Sequence, residues 1–219
     1  MRFRTVLLDL DGTLIDHFTA IHRCHANVRR HFGLPEPTPE EVRRAVGGGL
    51  ENALRRLLGP AHADKVEVGL AVYRAHWDLT LLDDVTDLPG AMPLLAALKA
   101  AGIRPAVLTN KHAGSSRQIC THLGMDPYLA GVFGAGDTPW LKPDPRFSQH
   151  ALRALGAEAG STLLVGDSPY DVQTGKNAGF AMWAVTTGTH SAEELQSAGA
   201  DRILPGLKEV ITQLGLAKG

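Results

Sequence analysis

Short apolar segments alternate with longer segments of mixed polarity through the second half of the chain. The apolar segments cover residues 105–108, 132–133, 163–165 and 181–185, and a similar one stands near the start at 6–8. Between them lie stretches of helical length, at 90–101, 114–124, 145–155 and 170–178. Buried strands that alternate with helices predict an α/β fold with a parallel sheet flanked by helices.

Residues 17–85 interrupt this alternation, because they carry helical signals and no convincing strand. The segment TPEE at 38–41 has the order of an N-cap, a first helical proline and the acidic member of a capping box. Apolar spacing at 66–82 also predicts a helix. We therefore predict an α/β core domain formed by residues 1–16 and 86–219, with a helical cap domain inserted between its two parts.

The charge balance and the cysteine content indicate which binding partners and which cellular compartment to expect for this chain. The chain of 219 residues has 22 Lys and Arg against 23 Asp and Glu, so its formal net charge is -1. Without a broad basic field, no nucleic acid and no anionic membrane is expected as partner, and a small molecule is favoured. Cys24 and Cys120 form no CxxC pair, and we see no signal-type apolar stretch, so we expect a cytoplasmic protein.

The segment DLDGT at 9–13 directly follows the first apolar run. Asp-Gly is a common turn, which explains Asp11 and Gly12 without any function. It does not explain Asp9, because a carboxylate at the end of a buried strand is costly to desolvate unless a cation or hydrogen-bond donors meet it. The segment therefore predicts a partner for Asp9 elsewhere in the chain.

Polar residues also follow the later predicted strands. They are Thr109 and Asn110, Lys142 in the segment WLKPDP, and Asp167, Ser168 and Asp171. Singly, each has an ordinary explanation as a turn residue, a solvated lysine or a helix cap. Together they fall on the edge where a parallel sheet binds ligands. Carboxylates without His or Cys favour Mg²⁺, while a hydroxyl and an ammonium suit phosphate oxygens.

The ordered motifs DLDGTLID, TN, KPDP, GDSPYD and GKNAG resemble those of the haloacid dehalogenase superfamily of phosphatases. The resemblance covers essentially the whole chain and implies a Rossmann-like core with a small all-helical cap. VLTNK, KPDP and VGDSPYDVQTGKNAG are most similar to the phosphoglycolate phosphatase group. One departure is His112, where that group usually carries Pro.

By this resemblance, Asp9 is the nucleophile that forms an aspartyl-phosphate, and Asp11 is the general acid and base. Mg²⁺ is then held by the Asp9 carboxylate, the backbone carbonyl of Asp11 and the Asp167 side chain. Asp171 orients Lys142 or the metal waters from behind these ligands.

The resemblance also implies a phosphate site and a substrate. Thr109, the Asn110 amide and Lys142 hold the phosphoryl oxygens. The expected substrate is a small phosphorylated metabolite, 2-phosphoglycolate first. A nucleoside monophosphate, pyrophosphate or a sugar phosphate stays open.

The segment Gly47-Gly48-Gly49 is the most unusual part of the predicted cap. It predicts either a flexible helix junction or a close-approach loop that admits only a small substrate. Arg43, Arg44 and Arg55 flank it and could pair with a substrate carboxylate, although an exposed helix charge is the more common explanation for each.

Three rival functions stay open at this point. A sugar phosphomutase shares the cap and nucleophile, but such relatives usually read E-D-S without a later Asp, whereas this chain has Gly166-Asp167-Ser168 and Asp171. The dehalogenases of this superfamily lack the second Asp of the first motif, whereas this chain has Asp11 there. An inactive binding module is the non-enzyme alternative. Whether the chain is a monomer or a homodimer is not indicated.

Overall fold

The computed structural model describes residues 3–217 and contains a six-stranded parallel sheet. The strand order is β5-β4-β1-β6-β7-β8. Its strands are β1 (Thr5–Leu8), β4 (Arg104–His112), β5 (Val132–Ala135), β6 (Thr162–Gly166), β7 (Ala181–Val185) and β8 (Arg202–Leu204). The predicted α/β class is confirmed, and each of the five predicted strands is present.

Within residues 3–217, six α-helices pack against this sheet, and four more form the insertion at residues 17–85. The six are α5 (Ala91–Ala100), α6 (Ala113–His122), α7 (Pro145–Leu155), α8 (Pro169–Ala178), α9 (Ala192–Ala198) and α10 (Leu207–Gln213). The four are α1 (Phe18–His31), α2 (Pro39–Ala45), α3 (Leu50–Leu58) and α4 (Val66–Thr80). A short 3₁₀ helix, Pro60–Lys65, joins α3 to α4.

Alternating residues of the central strands face two separate apolar layers. Val6 and Leu8 belong to one layer, which continues into the helical region through residues such as Leu54. Leu7 belongs to the other layer with Phe147 of α7. All of these side chains are buried, as expected for a parallel sheet covered on both faces.

Strand register aligns the ends of the three central strands. Leu8 lies beside Val107 of β4 and Val165 of β6. The polar residues that follow these positions are therefore delivered to the same edge, where ligands bind in such sheets.

Two chain crossings connect the helical insertion to the sheet domain. They are β2 (Ile15–Asp16) and β3 (Thr86–Asp87), which pair antiparallel. The Leu88 amide also donates a hydrogen bond to the Leu14 carbonyl at 2.9 Å, next to this strand pair.

Two helix starts have the caps that the sequence indicates. The Thr38 hydroxyl accepts from the amide of Glu41, whose side chain accepts from the Thr38 amide. Ser168 and Asp171 form the same reciprocal box at the start of α8. Each box satisfies two backbone donors that a helix start leaves free.

Strand β8 and the two last helices are absent from the sequence prediction. β8 is three residues long, begins with an exposed arginine and is only partly buried, so it lacks the apolar run that marks the other strands. None of the helices between residues 3 and 217 is both long and apolar enough to cross a membrane.

Candidate active site

Lys142 lies at the centre of the polar strand ends. Its ammonium nitrogen is 2.9 Å from Asp9 Oδ1 and 2.7 Å from Asp171 Oδ1, and its side chain is 1% exposed. Burial by itself lowers the pKa of Lys142, but the two ion pairs outweigh burial and hold the pKa above its ordinary value. The lysine is therefore a permanent cation inside the protein.

Asp9 is surrounded by charge of both signs. Burial raises its pKa to about 6, the Lys142 ammonium opposes that rise, and the Asp171 carboxylate adds to it. The backbone amide of Asp9 is tied to the Val165 carbonyl at 2.9 Å, so β6 fixes its position. A buried carboxylate with such a shifted pKa at a strand end is a typical functional feature.

Asp167 is held by hydroxyl and amide donors. Its Oδ1 accepts from Thr13 Oγ1 at 3.1 Å, and its Oδ2 accepts from the amide and the hydroxyl of Thr189, both at 2.9 Å. Burial raises the pKa of Asp167 to about 7, and the charges of Asp9 and Asp171 add to the rise. Gly12, at φ 81°, allows this approach, because a Cβ there would lie 2.7 Å from Asp167 Oδ2.

Asp171 uses both oxygens within the protein. Oδ1 pairs with Lys142, and Oδ2 accepts from the amide and the hydroxyl of Ser168 at 3.1 Å and 2.5 Å. Asp171 is therefore placed to orient the Lys142 ammonium.

The carboxylates at this edge outnumber the cations. Asp9, Asp167 and Asp171 each place an oxygen within 4.8 Å of the other two, all three being buried. When all three are ionised, Lys142 offsets one of these charges and two remain. An all-oxygen donor set with two excess negative charges fits a hard divalent cation.

Asp11 lies apart from this group and is paired with a second lysine. Both Asp11 oxygens are 3.0 Å from Lys111 Nζ. Lys111 stands in the segment VLTNK, and the sequence alone gives it no role, since a lysine near a strand end is normally solvated. The one indication in the sequence is its position two residues after Thr109, towards the ligand-binding edge of the sheet.

Thr109 and Asn110 are the last two buried residues of β4, and they differ in how many hydrogen bonds they already make within the protein. The Asn110 amide group donates to the carbonyls of Gly47 and Lys142 at 2.9 Å and 3.0 Å, and its Oδ1 accepts from the Lys142 amide at 2.8 Å. Both side-chain donors are thus used, which makes Asn110 a brace between the glycine segment and Lys142. The Thr109 oxygen accepts from the Lys111 amide at 3.2 Å, and its hydroxyl proton can still be donated.

The glycine segment lies directly against the core. A Cβ on Gly48 would be 2.5 Å from the Tyr170 hydroxyl oxygen and 2.8 Å from Tyr170 Cζ. Tyr170 belongs to α8, and Arg56 of α3 donates to its hydroxyl at 2.8 Å. The helical insertion therefore contacts the strand-end site through backbone that has no room for a side chain.

Comparison with known proteins assigns this arrangement to a family. The profile of the haloacid dehalogenase-like hydrolases matches residues 6–185, which include every strand-end residue described above. The chain belongs to the haloacid dehalogenase-like hydrolases. It is 34% identical over 205 residues to a phosphoglycolate phosphatase of Rhodospirillum rubrum, covering 90% of this chain and 85% of that protein. It is 32% identical over 209 residues to a protein of Dickeya dadantii named "Probable phosphatase IndB", covering 94% and 91%.

Solved structures agree with the family assignment. A Bacteroides fragilis protein described as a haloacid dehalogenase-like hydrolase superimposes with a TM-score of 0.90 at 29% identity, covering 95% of this chain and 100% of that one. The helices of the insertion thus correspond to the cap of a haloacid dehalogenase-like fold.

In this hydrolase, the cap arginines expected near the substrate are engaged elsewhere. Arg44 forms an ion pair with Glu194, and Arg55 pairs with Glu51 at 2.7 Å, one turn earlier on α3. Arg43 reaches Asp16 at 4.0 Å. All three arginine side chains are at least 40% exposed. The structure brings Gly47 and Gly48 to the site but leaves these arginines on the surface.

Proposed function

We propose that this hydrolase is a Mg²⁺-dependent phosphatase that cleaves a small phosphomonoester through an aspartyl-phosphate on Asp9. The observation that carries the proposal is the group of three buried carboxylates around one buried lysine, level with Thr109 at the same sheet edge. Such a site can receive a dianionic phosphate only if cations compensate its charge.

The donor set supports a magnesium site formed by the Asp9 and Asp167 carboxylates and the backbone carbonyl of Asp11. Mg²⁺ bound there would polarise a phosphoryl oxygen and offset the repulsion between two anions. At a separation of ~4 Å, two unit charges repel by ~4 kcal/mol when the effective dielectric constant is ~20. That repulsion would hinder attack by Asp9.

The protein's own residues account for the two chemical steps. In the first, an Asp9 oxygen forms a bond to phosphorus while the bond from phosphorus to the ester oxygen breaks, and protonated Asp11 gives its proton to the leaving alkoxide. In the second, Asp11 removes a proton from water, whose oxygen attacks phosphorus and releases Asp9 and inorganic phosphate. Asp11 is thereby returned to its protonated form.

The phosphoryl oxygens are held by the Thr109 hydroxyl, the Lys142 ammonium and the backbone amide of Asn110. Asp171 positions Lys142, because its carboxylate is fixed by Ser168 on the side away from the ammonium. Donors fixed in advance stabilise developing charge without reorganisation.

The proposed substrate is 2-phosphoglycolate. Support comes from the 34% identical relative named phosphoglycolate phosphatase and from the glycine segment, which leaves little room beside Tyr170. The relative from D. dadantii carries no substrate in its name, so nucleoside monophosphates, pyrophosphate and sugar phosphates belong in the same substrate panel.

We also propose that residues 17–85 act as a cap domain, with the paired strands β2 and β3 as its boundary. The cap would close over the phosphate and exclude water during attack. Cys24 and Cys120 are both free and buried, which is compatible with a reducing compartment such as the cytoplasm.

Turnover of p-nitrophenyl phosphate with and without Mg²⁺ tests the proposal, followed by kcat/KM for the substrate panel. We expect Mg²⁺-dependent release of phosphate that Asp9→Asn and Asp11→Asn each nearly abolish, by about 10⁴-fold or more for Asp9→Asn. Asp64→Asn, at an exposed position, is the matched control. Near-parent turnover in Asp9→Asn or Asp11→Asn would refute the assignment.

A further inference from the structure

Lys111 occupies an enclosed position between the core and the cap. Its ammonium touches both Asp11 oxygens at 3.0 Å and lies 4.5 Å from the centre of the Trp77 ring. The side chain is 9% exposed. Trp77 belongs to α4 of the cap and is itself anchored to the core, since its ring nitrogen donates to Ser115 Oγ of α6 at 3.1 Å.

This pairing leaves donor capacity on the Lys111 ammonium. Both Asp11 oxygens lie on one side of the nitrogen at 3.0 Å, and an ammonium has three N–H donors. A second anionic group on a substrate held at the strand ends could therefore bind Lys111 where the cap meets the core.

Other cations are less suited to receive that group. Arg44 and Arg55 are exposed to water, and Lys142, which lies between Asp9 and Asp171, is already assigned to the phosphoryl oxygens. Arg56 donates to the Tyr170 hydroxyl and lies on the exposed surface. A charge-assisted contact is strongest where water is excluded, which favours Lys111.

We propose that Lys111 determines specificity by binding the carboxylate of a phosphorylated hydroxy acid where the cap meets the strand ends. The Trp77 face keeps the ammonium at the cap boundary when the substrate carboxylate arrives. This inference rests on the proposed function and adds to it the residue that selects the substrate class.

The test compares two esters of matched size. 2-Phosphoglycolate carries the carboxylate, and 2-hydroxyethyl phosphate carries a neutral hydroxymethyl group in its place. We expect the parent to prefer 2-phosphoglycolate, and Lys111→Met to reduce that preference by about tenfold to a hundredfold, chiefly through KM for 2-phosphoglycolate. Lys111→Arg should retain part of the preference, because the positive charge remains.

Lys99→Met is the matched control, because Lys99 also lies near an aromatic ring, 5.9 Å from the Tyr128 centre, on the exposed surface of α5. Lys99→Met should prefer 2-phosphoglycolate over 2-hydroxyethyl phosphate to the same extent as the parent.

Several outcomes would overturn the inference. Equal losses on both esters in Lys111→Met would make the lysine a positioning residue for Asp11 alone. Loss of preference in Arg56→Met but not in Lys111→Met would assign the carboxylate to the arginine. A parent that cleaves both esters equally well removes the inference but leaves the phosphatase. A parent inactive on both esters and on p-nitrophenyl phosphate removes the proposed function as well.

Discussion

The strand-end site and the interior of the cap both bury titratable side chains, yet they keep them in different states. At the strand ends, Asp9 and Asp171 share the Lys142 ammonium, so charge is retained. In the cap, His17 and His25 are buried among apolar and aromatic neighbours. Burial, together with the nearby Lys111 charge, lowers the pKa of His17 to about 4, and burial lowers that of His25 to about 3.

The cap histidines behave as part of an aromatic cluster. The His17 ring lies 4.9 Å from Trp77, and the His25 ring lies 4.8 Å from Tyr73, which stacks on Trp77 at 5.8 Å. Neutral rings at neutral pH contribute packing and need no counter-ion. The buried carboxylates at the strand ends are instead met by the Lys142 ammonium or by hydroxyl and amide donors, and this difference separates a reactive region from a supporting one.

The largest effect should come from removing the cation at the strand ends. Lys142→Met leaves Asp9 and Asp171 buried without their shared partner, so we expect the free energy of unfolding to fall by about 3–5 kcal/mol. Phosphatase turnover should fall by about 10³-fold. Urea unfolding and kcat measure the two losses.

His25→Leu in the cap is the comparison for Lys142→Met. A neutral buried ring replaced by an apolar side chain of similar size should change stability by less than about 1.5 kcal/mol. A loss in His25→Leu as large as that in Lys142→Met would contradict the contrast between the two regions.

The second effect is the pH dependence of the metal-free protein. Above pH 7, Asp9 and Asp167 are ionised and repel one another. As the pH falls from 8 towards 6.5, the folded state takes up protons through groups with pKa values of about 6 and about 7, whereas the unfolded carboxyls, at ordinary values near 3.8, do not. By themselves, these two carboxyls make the folded protein more stable as the pH falls over that range.

The two buried cap histidines act in the opposite sense over the same range, because they are protonated near pH 6.5 in the unfolded chain but stay neutral when folded. The two contributions largely cancel, so thermal unfolding of the parent in EDTA should change little between pH 8 and pH 6. His25→Leu removes one opposing group and should reveal a rise in stability towards pH 6. Mg²⁺ at about a hundred times its Kd should add about 2.7 kcal/mol, and we expect that gain to be greater at pH 8 than at pH 6. An equal rise after Asp167→Asn is added to His25→Leu would argue against a carboxylate origin.

A smaller effect is expected where the two regions touch. Gly48→Ala places a methyl group against Tyr170 and displaces the loop that Asn110 braces, so kcat/KM should fall about tenfold with little change in stability. Adding Tyr170→Ala should restore part of the loss. Gly160→Ala, where an added methyl meets no atom within 4 Å, is the control. If Tyr170→Ala does not restore kcat/KM, the loss in Gly48→Ala does not come from the contact with Tyr170.

The smallest effect concerns the surface contact between Arg44 of the cap and Glu194 of the core. Arg44→Gln should change kcat/KM by less than about twofold, because exposed ion pairs are screened by water and salt. Steady-state kinetics at low and high salt measure the change. A tenfold fall in kcat/KM of Arg44→Gln for 2-phosphoglycolate alone would indicate that Arg44 contacts the substrate.

Sequence analysis predicted more of the core than of the cap. Asp9, Asp167 and Asp171 are recognisable because carboxylates directly after buried strands are unusual and need partners. Lys111 was missed, since its importance comes from a contact across 100 residues with Asp11 and from the Trp77 ring above it. Arg44 and Arg55 of the cap are exposed and paired with glutamates, which agrees with the ordinary explanation of a helix surface charge.

By itself, the sequence determined the α/β alternation, the helical insertion and the residue types that follow each central strand. These properties depend on local periodicity and on short-range caps such as that of Ser168. Tertiary structure alone decided which charges meet: Lys142 joins Asp9 to Asp171, Thr13 reaches Asp167 across 154 positions, and Lys111 closes on Asp11. The physical reason is that register and desolvation act between distant segments, so the balance of buried charge exists only in the folded chain.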